Sequence, residues 1–133
     1  MSKKYKLLLI EDSPELSGLV ETLFSIEYPQ FDLDVTNSIK GALSKISSGE
    51  YDLIITDMMF PSGSIKDVFD RAKATGHKVI LLTGMEPALL EEETEGYSDI
   101  ILGVIRKPFS FEEFIAQFNR IIENFWTESE EQG

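Results

Sequence analysis

Four short apolar segments of this chain are each followed by a side chain that can take part in phosphoryl chemistry. In chain order, these side chains are Glu11 and Asp12, then Asp57, then Thr83, and finally Lys107. Carboxylate oxygens are the ligands that Mg²⁺ prefers, and clustered carboxylates repel one another until a cation neutralises them. A carboxylate beside such a cation can attack phosphorus, while a lysine and a hydroxyl bind the phosphoryl oxygens. The residue types therefore predict magnesium-assisted transfer of a phosphoryl group to an aspartate.

Asp57 is the residue around which this set is arranged. It follows the apolar run 53–56 and precedes a Pro–Ser–Gly turn, so a buried strand would present its carboxylate at the edge of a sheet. We predict that Asp57 is the nucleophile and that the backbone amides of residues 57–59 complete the phosphoryl-binding shell. An aspartate after a strand is more often only a turn residue, and Glu11 with Asp12 would also suit a helix start. The whole set at successive strand ends favours a functional site.

Apolar runs alternate along the chain with helical patterns, and this order predicts how the site is assembled. The strands are predicted at residues 6–10, 31–35, 53–56, 79–82 and 100–105. The helices are predicted to begin after Ser13, after Asn37 or Ser38, after Ser64, at Pro87 and after Ser110. Strands that alternate with helices form a parallel sheet covered on both faces, whose carboxyl ends meet at one edge. The site residues should therefore lie together at that edge.

Amphipathic patterns predict which side of a helix is buried. The first helix should bury a stripe made of Leu16, Leu19, Val20, Leu23 and Phe24. The fourth helix has a weak pattern from Pro87 to about residue 95. The last helix has the clearest start, because Ser110 and Glu113 have the spacing of a capping box.

Composition limits the classes of function that the chain can have. A length of 133 residues suits one domain, and a hydrophobic content of 42% allows it a packed core. The absence of cysteine excludes thiolate catalysis, and the single histidine excludes a multi-histidine metal site. A net charge of −12 argues against direct binding of nucleic acid, whose phosphates need a basic surface. The apolar runs are far shorter than a membrane span, so we expect a cytoplasmic protein.

Four motifs of the sequence are similar to those of a known family. They are LLLIEDSPEL, DLIITDMMFP, VILLTG and VIRKPF, in that order. On these motifs the chain resembles the receiver domain of bacterial two-component response regulators over nearly its whole length. The resemblance implies a flavodoxin-like, doubly wound (βα)5 fold with a five-stranded parallel sheet in the order 2-1-3-4-5, and a site at the topological switch point. The receiver domain is predicted to span residues 1–126, and residues 127–133 are predicted to form a short, disordered acidic tail.

The resemblance also assigns roles to the acidic residues of the site. It implies that Asp57 is the phosphoacceptor. It further implies that Mg²⁺ is the cofactor and is held by Asp12, Asp57 and the main-chain carbonyl of Met59. Glu11 would complete the acid pair and reach the ion through a water molecule.

On the phosphoryl side, the resemblance implies that Lys107 binds the phosphoryl oxygens and that Thr83 is the switching hydroxyl. The Lys107–Pro108 peptide bond would be cis, as in the family. Family members usually carry a tyrosine or phenylalanine three residues before the lysine, and this ring turns inward as the threonine moves. Val104 occupies that position here and is too short and stiff to act in this way. We therefore expect the signal to pass through Thr83 and the following loop, with ordinary strand packing as the alternative explanation of Val104.

Other positions also depart from the pattern of the family. Ile65 replaces the usual glycine eight residues after the phosphoacceptor, and a Ser–Gly–Ser sequence around Gly63 indicates a re-routed loop. Met59 and Met85 stand where polar groups are common, two residues after the phosphoacceptor and the switching threonine. Thioethers are poor hydrogen-bond partners for an attacking water, so we expect slow hydrolysis of the phosphoryl group.

The resemblance implies a phosphoacceptor signalling domain and not an enzyme, although the domain would assist its own phosphorylation and its slow dephosphorylation. The donor would be a phosphohistidine on a sensor histidine kinase or on a histidine phosphotransfer protein. A downstream protein would then recognise the phosphorylated form, or the phosphoryl group would be passed onward. The expected contact surface is formed by the fourth helix, the fifth strand and the fifth helix, where a second copy of the chain is an alternative partner.

The sequence leaves three alternatives to a stand-alone phosphoacceptor. A receiver domain cut from a longer regulator with an output domain would show the same residues. A phosphohydrolase that forms an aspartyl phosphate needs a second aspartate two residues after the first, where this chain has Met59. A phosphorylation-independent interaction module is the third alternative, and it would have no need of the complete set of strand-end residues.

Overall fold

The structure is a computed structural model that describes the backbone of residues 5–132 and the side chains of residues 5–125. Its strands are β1 Tyr5–Ile10, β2 Phe31–Thr36, β3 Leu53–Thr56, β4 Val79–Thr83 and β5 Ile101–Arg106. Its helices are α1 Pro14–Glu27, α2 Ile39–Ser48, α3 Ile65–Thr75, α4 Pro87–Glu93 and α5 Phe111–Gln132. The predicted alternation of strands and helices is confirmed, and the strands begin and end within about one residue of their predicted positions.

The strands of the described chain form one parallel sheet in the order β2-β1-β3-β4-β5. This order confirms the flavodoxin-like, doubly wound fold that the resemblance implied. β3 lies at the centre, and β2 and β5 form the two edges. In the parallel register Ile10 lies beside both Thr36 and Thr56, so the carboxyl ends of three neighbouring strands meet at one edge of the sheet.

Serine side chains cap the helices at the positions that the sequence predicted. The Oγ of Ser13 accepts a hydrogen bond of 3.3 Å from the N–H of Leu16, and Pro14 is the first residue of α1. Ser38, and not Asn37, caps α2. These caps satisfy backbone N–H groups that the first turn of a helix leaves without a helical partner.

Two further helix starts follow strands that carry site residues. The Oγ of Ser64 accepts a hydrogen bond of 3.2 Å from the N–H of Lys66, which fixes the start of α3 at Ile65. Ser110 and Glu113 form the predicted capping box at the start of α5. The N–H of Ser110 donates to Glu113 Oε1 at 2.9 Å, and the N–H of Glu113 donates to Ser110 Oγ at 3.1 Å.

The two faces of the sheet carry different cores. Helices α1 and α5 cover a layer rich in aromatic rings, in which the ring centroids of Phe24 and Phe118 lie 5.3 Å apart. Helices α2 and α3 cover a mainly aliphatic layer that includes Ile46 and Phe69. Every residue of β3 and β4 is buried between these layers. The central strands are therefore packed on both faces, which fixes the positions of the residues that follow them.

The burial of α1 differs from the prediction at Leu19. This side chain is 39% exposed, whereas Ser17 is buried. Leu19 lies at the margin of the apolar stripe, so a small rotation of the helix about its axis brings it to the surface. Ser17 lies at the opposite margin, and its hydroxyl can be buried there because it donates a hydrogen bond of 3.3 Å to the carbonyl of Pro14.

The fourth helix ends at a position that differs from the prediction. α4 ends at Glu93, two residues before the expected position near residue 95, and has no fully buried residue. The backbone of α5 continues to Gln132. The domain boundary at residue 126 stays a prediction. The side chains from Trp126 onward and residue 133 lie outside the described residues, so the disorder of the acidic tail stays a prediction. Within residues 5–132, none of the helices combines the length and the apolar character that crossing a bilayer requires.

Candidate functional site

Backbone hydrogen bonds that continue beyond the strands place the predicted site residues side by side. The N–H of Asp57 donates to the carbonyl of Ile10 at 3.0 Å, which ties the end of β3 to the end of β1. The N–H of Lys107 donates to the carbonyl of Thr83 at 3.0 Å and ties β5 to β4 in the same way. The Lys107–Pro108 peptide bond that follows is cis, as the resemblance implied. The sheet itself therefore aligns these residues.

Lys107 bridges two buried carboxylates at this edge of the sheet. Its Nζ lies 2.9 Å from Oε1 of Glu11 and 3.1 Å from Oδ2 of Asp57. Glu11 is 1% exposed and Asp57 is 9% exposed. Carboxylates with so little access to water would be costly without a counter-charge, so the ammonium group stabilises both of them. The structure thus brings three of the predicted site residues into direct contact.

The electrostatics of this bridge keep Lys107 charged. Burial raises the pKa of Glu11 above its ordinary value, and hydrogen bonds from Lys107 and from the N–H of Ser13 only partly offset that increase. Burial also acts to lower the pKa of Lys107. The hydrogen bond to Glu11 and the charges of Asp57 and Glu11 outweigh burial, so the pKa of Lys107 is raised. The lysine is therefore a permanent cation of the site at neutral pH.

Three carboxylates are placed to hold a divalent cation together. One oxygen from each of Glu11, Asp12 and Asp57 lies within 4.8 Å of the other two. Glu11 and Asp57 are buried, whereas Asp12 is exposed and opens the group to solvent. Three carboxylates and the Lys107 ammonium have a formal charge of about −2, which one Mg²⁺ would neutralise. The charge and chemistry of these residues therefore fit the predicted ion.

The carboxylate of Asp57 is held at both of its oxygens. Oδ1 accepts a hydrogen bond of 2.7 Å from the N–H of Met58, and Oδ2 contacts Lys107. The side chain of Met58 is buried, and that of Met59 is 66% exposed at the surface of the site. The proposed metal-ligand role of the Met59 carbonyl stays a prediction.

Thr83 is buried at the end of β4, and its hydroxyl is engaged by the loop that follows. Its Oγ1 accepts a hydrogen bond of 3.0 Å from the N–H of Met85, and the residue is 2% exposed. The structure therefore places Thr83 at the predicted edge of the sheet, beside the strand that leads into Lys107.

β5 contributes a residue to this region that the sequence analysis did not identify. Val104 and Arg106 are two residues apart and so share one face of the strand. Val104 is half-buried and packs against the core layer beneath α2 and α3. Arg106 pairs with Thr83 in the register, and its Nη2 donates a hydrogen bond of 2.5 Å to the carbonyl of Met85. The sequence feature that could have indicated Arg106 is its position. It lies directly before Lys107 and two residues after Val104, where the family usually has an aromatic residue.

The loop after Asp57 is anchored by Gly63. Its φ of 88° lies in the left-handed region, and a Cβ added there would lie 2.9 Å from the Cβ of Ile39. Ile65 starts α3 and is 7% exposed. The residue that replaces the usual glycine of the family is therefore part of the core, and the loop passes directly against α2.

The fold and the site define a receiver domain, and the family comparison agrees. The family model of the response regulator receiver domain matches residues 7–119. The chain belongs to this family, the receiver domains of two-component response regulators.

Curated relatives include proteins described as transcriptional regulators. The chain is 31% identical over 121 residues to the transcriptional regulatory protein CpxR homolog of Haemophilus influenzae, covering 88% of this chain and 50% of that protein. It is 24% identical over 133 residues to the uncharacterized transcriptional regulatory protein YkoG of Bacillus subtilis, covering 98% of this chain and 57% of that protein. The chain spans about half the length of the curated relatives it matches.

Solved structures with the same fold include two receiver proteins. One is the signal receiver domain of an HD domain-containing protein from Pseudomonas fluorescens, with a TM-score of 0.79, 21% identity, and coverage of 98% of this chain and 95% of that chain. The other is the chemotaxis response regulator CheY4 of Vibrio cholerae, with a TM-score of 0.73, 19% identity, and coverage of 90% and 99%. At this level of identity the likeness shows the fold.

Proposed function

We propose that this receiver domain accepts a phosphoryl group on Asp57 from a phosphohistidine donor in an Mg²⁺-dependent reaction. The observation that carries the proposal is the bridge from Lys107 to Glu11 and Asp57, with Asp12 beside it. This arrangement supplies a nucleophile, cation-binding carboxylates and a phosphoryl-binding lysine in one place.

Asp57 performs the displacement at phosphorus. One of its carboxylate oxygens forms a new bond to phosphorus while the phosphorus–nitrogen bond of the phosphohistidine breaks. The electron pair of that bond returns to the imidazole of the donor. Because the N–H of Met58 already orients the carboxylate through Oδ1, the nucleophile needs little reorganisation before attack.

Lys107 changes its partner during this reaction. In the resting site its ammonium offsets the charges of Glu11 and Asp57. After transfer the same ammonium faces the phosphoryl oxygens, with the Thr83 hydroxyl as a second donor. The site carboxylates and the Met59 carbonyl would hold Mg²⁺, which would supply positive charge to offset the charge that builds up on the phosphoryl oxygens.

The phosphorylated domain then signals by contact with another protein or by onward phosphotransfer. The donor is a sensor histidine kinase or a histidine phosphotransfer protein in the cytoplasm. The contact surface for a downstream protein is formed by α4, β5 and α5, where Leu89 is 44% exposed. A second copy of the chain is the alternative occupant of this surface.

Intact-mass spectrometry after incubation with Mg²⁺ and acetyl phosphate tests the proposal. The wild-type chain should gain the mass of one phosphoryl group, and EDTA should abolish the gain. Asp57→Asn should gain none, whereas Asp32→Asn, a matched change at an exposed position of β2, should behave like wild type. An unmodified wild-type chain, or an equal gain on Asp57→Asn, would overturn the proposal.

A second candidate is that the same site serves as the receiver part of a longer transcriptional regulator. The observation that favours it is the length of the curated relatives, of which this chain spans about half. An antibody raised against residues 5–125 would then detect a protein well above 15.0 kDa in the source cells. A band at 15.0 kDa alone would exclude this candidate.

A further inference from the structure

The loop between β4 and α4, residues 84–86, is bonded to both neighbouring strand ends, and we call it the Thr83 loop. We propose that Arg106 is a positioning residue that acts through the Met85 carbonyl to hold this loop. It thereby holds the Thr83 hydroxyl in the arrangement of the unphosphorylated domain. The consequence for signalling rests on the function proposed above, in which Thr83 moves to a phosphoryl group on Asp57.

Both backbone polar groups of Met85 are engaged. Its N–H donates to Thr83 Oγ1 at 3.0 Å, and its carbonyl accepts from Arg106 Nη2 at 2.5 Å. Thr83 and Arg106 are direct neighbours in the register of β4 and β5. One residue of the Thr83 loop is therefore held from both sides by a single pair of strand residues.

Arg106 is itself fixed in place by α5. Its backbone N–H donates a hydrogen bond of 3.2 Å to Oε1 of Gln117, and Gln117 Nε2 donates at 3.1 Å to the carbonyl of Glu113. The guanidinium group is planar and carries several N–H donors, so a half-buried carbonyl is a suitable acceptor for it. Hydrogen bonds to charged groups are stronger than those between neutral groups. Arg106 can therefore hold the loop against thermal motion.

The valine at position 104 explains why Arg106 is the residue of β5 that binds the Met85 carbonyl. Val104 and Arg106 lie on the same face of β5, and the side chain of Val104 carries no polar group that could bind the Thr83 loop. Arg106, two residues nearer the carboxyl end, reaches it with its full length. The connection between β5 and the Thr83 loop is thus polar and reversible.

The consequence is an energetic coupling between Arg106 and the phosphoryl site. When the Thr83 hydroxyl moves toward Asp57, the N–H of Met85 loses its acceptor and the loop has to shift. That shift also breaks the bond from Arg106 to the Met85 carbonyl. Arg106 therefore stabilises the unphosphorylated arrangement, and its removal moves the population toward the arrangement that binds a phosphoryl group.

Hydrogen exchange in the unphosphorylated protein tests the positioning role directly. In Arg106→Met the Met85 amide should exchange roughly ten- to 100-fold faster, because the charged hydrogen bond to the Met85 carbonyl is lost. Arg106→Lys keeps a donor and should recover part of the protection. Arg120→Met, at an exposed position of α5, is the matched control. Unchanged exchange at Met85, or an equal increase at the Leu82 amide within β4, would overturn the proposal.

Binding of beryllofluoride with Mg²⁺, a mimic of the phosphoryl group, tests the consequence. Arg106→Met should bind it roughly ten- to 100-fold more tightly than wild type, because the same charged hydrogen bond no longer stabilises the unphosphorylated arrangement. In a Thr83→Val background the same change should have no effect on binding, because Arg106 acts through Thr83. An effect that persists without the Thr83 hydroxyl would show that Arg106 acts directly and would overturn the positioning role.

The two experiments separate this proposal from the proposed function. Wild type that fails to bind beryllofluoride contradicts the phosphoacceptor role of Asp57, while faster exchange at Met85 in Arg106→Met still supports the hold on the loop. Wild type that binds, with equal affinity in Arg106→Met, leaves the phosphoacceptor role in place and overturns the coupling to Arg106.

Discussion

The two sides of the candidate site are built in different ways. On the acid side, Glu11, Asp57 and Lys107, which each follow a strand directly, form short ion pairs between their side chains. On the switch side, Thr83 is held through the backbone of a loop and through Arg106 of the edge strand β5. The groups of the acid side are fixed before any ligand arrives. Those of the switch side are held by bonds that can be exchanged, as a residue that must move requires.

The largest effect expected on the acid side follows from removing its cation. Lys107→Met leaves two buried carboxylates without their shared partner, and removes a donor to the phosphoryl group. Phosphoryl uptake from acetyl phosphate should fall roughly 100-fold or more. The free energy of unfolding should fall by about 1–3 kcal/mol.

Intact-mass time courses and urea unfolding measure these two quantities. Lys40→Met, at an exposed position of α2, is the control and should change neither. Uptake at the wild-type rate in Lys107→Met would contradict the view that the acid side is organised by its lysine.

A substitution in the loop after Asp57 tests whether the acid side is as rigid as its ion pairs indicate. Gly63→Ala places a Cβ 2.9 Å from the Cβ of Ile39 at a φ of 88°, and should lower the free energy of unfolding by about 1–3 kcal/mol. Gly96 has a φ of 90° with open space around it, so Gly96→Ala measures the backbone strain alone. Urea unfolding measures both variants. Equal decreases in the free energy of unfolding would show that the contact between the loop and α2 does not contribute to stability.

The rate at which the phosphoryl group is hydrolysed tests the role of the exposed Met59 side chain. Met59 is 66% exposed, and its thioether is a poor partner for an attacking water. Met59→Asn should shorten the phosphoryl lifetime, since one added hydrogen bond of about 1 kcal/mol corresponds to roughly fivefold in rate. The decay of the phosphoryl adduct is followed by intact mass after the donor is removed. Leu89→Asn on α4 is the control. A wild-type lifetime of seconds, together with a longer one in Met59→Asn, would refute slow hydrolysis as a property of this site.

The smallest expected effect is a pH dependence that belongs to the acid side alone. Burial raises the pKa of Glu11 above the ordinary 4.5, so the folded state binds more protons there than the unfolded state. The contribution of Glu11 to stability is therefore complete below about pH 4.5 and is lost as the pH rises through the folded-state pKa. Without Mg²⁺, the stability of Glu11→Gln relative to wild type should rise over this window.

Asp34 supplies a control of opposite sign for this measurement. Its pKa is lowered, first by the hydrogen bond from Tyr51, so its contribution is present above its unfolded pKa and is lost as the pH falls. Asp34→Asn should therefore lose stability relative to wild type as the pH rises. Urea unfolding as a function of pH measures the stability of both variants relative to wild type. If this relative stability changed with pH in the same direction in both variants, the raised pKa of Glu11 would be contradicted.

The acid side could be predicted from the sequence because local patterns determine it. A buried apolar run followed by Asp57, and a Ser–Pro start after Glu11 and Asp12, indicate strand ends and helix starts without knowledge of distant contacts. Once the strands are parallel, their carboxyl ends must meet. The ligand set of Mg²⁺ and the phosphoacceptor role rest on the resemblance and stay predictions.

The switch side could not be predicted in the same way. The contact of Arg106 with the Met85 carbonyl depends on the path of a three-residue loop and on the register of an edge strand. Neither leaves a periodic pattern in the sequence. The prediction that Leu19 is buried was wrong for a related reason. The rotation of α1 about its axis is set by packing between elements and not by the helix alone.

The order of the strands has a consequence for how this domain meets other chains. β2 is an open edge, and an open edge offers its backbone to any passing strand. This edge carries Asp32 and Asp34, and Asp34 is held by Tyr51 at 2.5 Å and Lys45 at 3.0 Å. Fixed carboxylates along a strand repel a second acidic chain and discourage extension of the sheet. Part of the high negative charge of the chain thus lies along this edge and disfavours edge-to-edge aggregation.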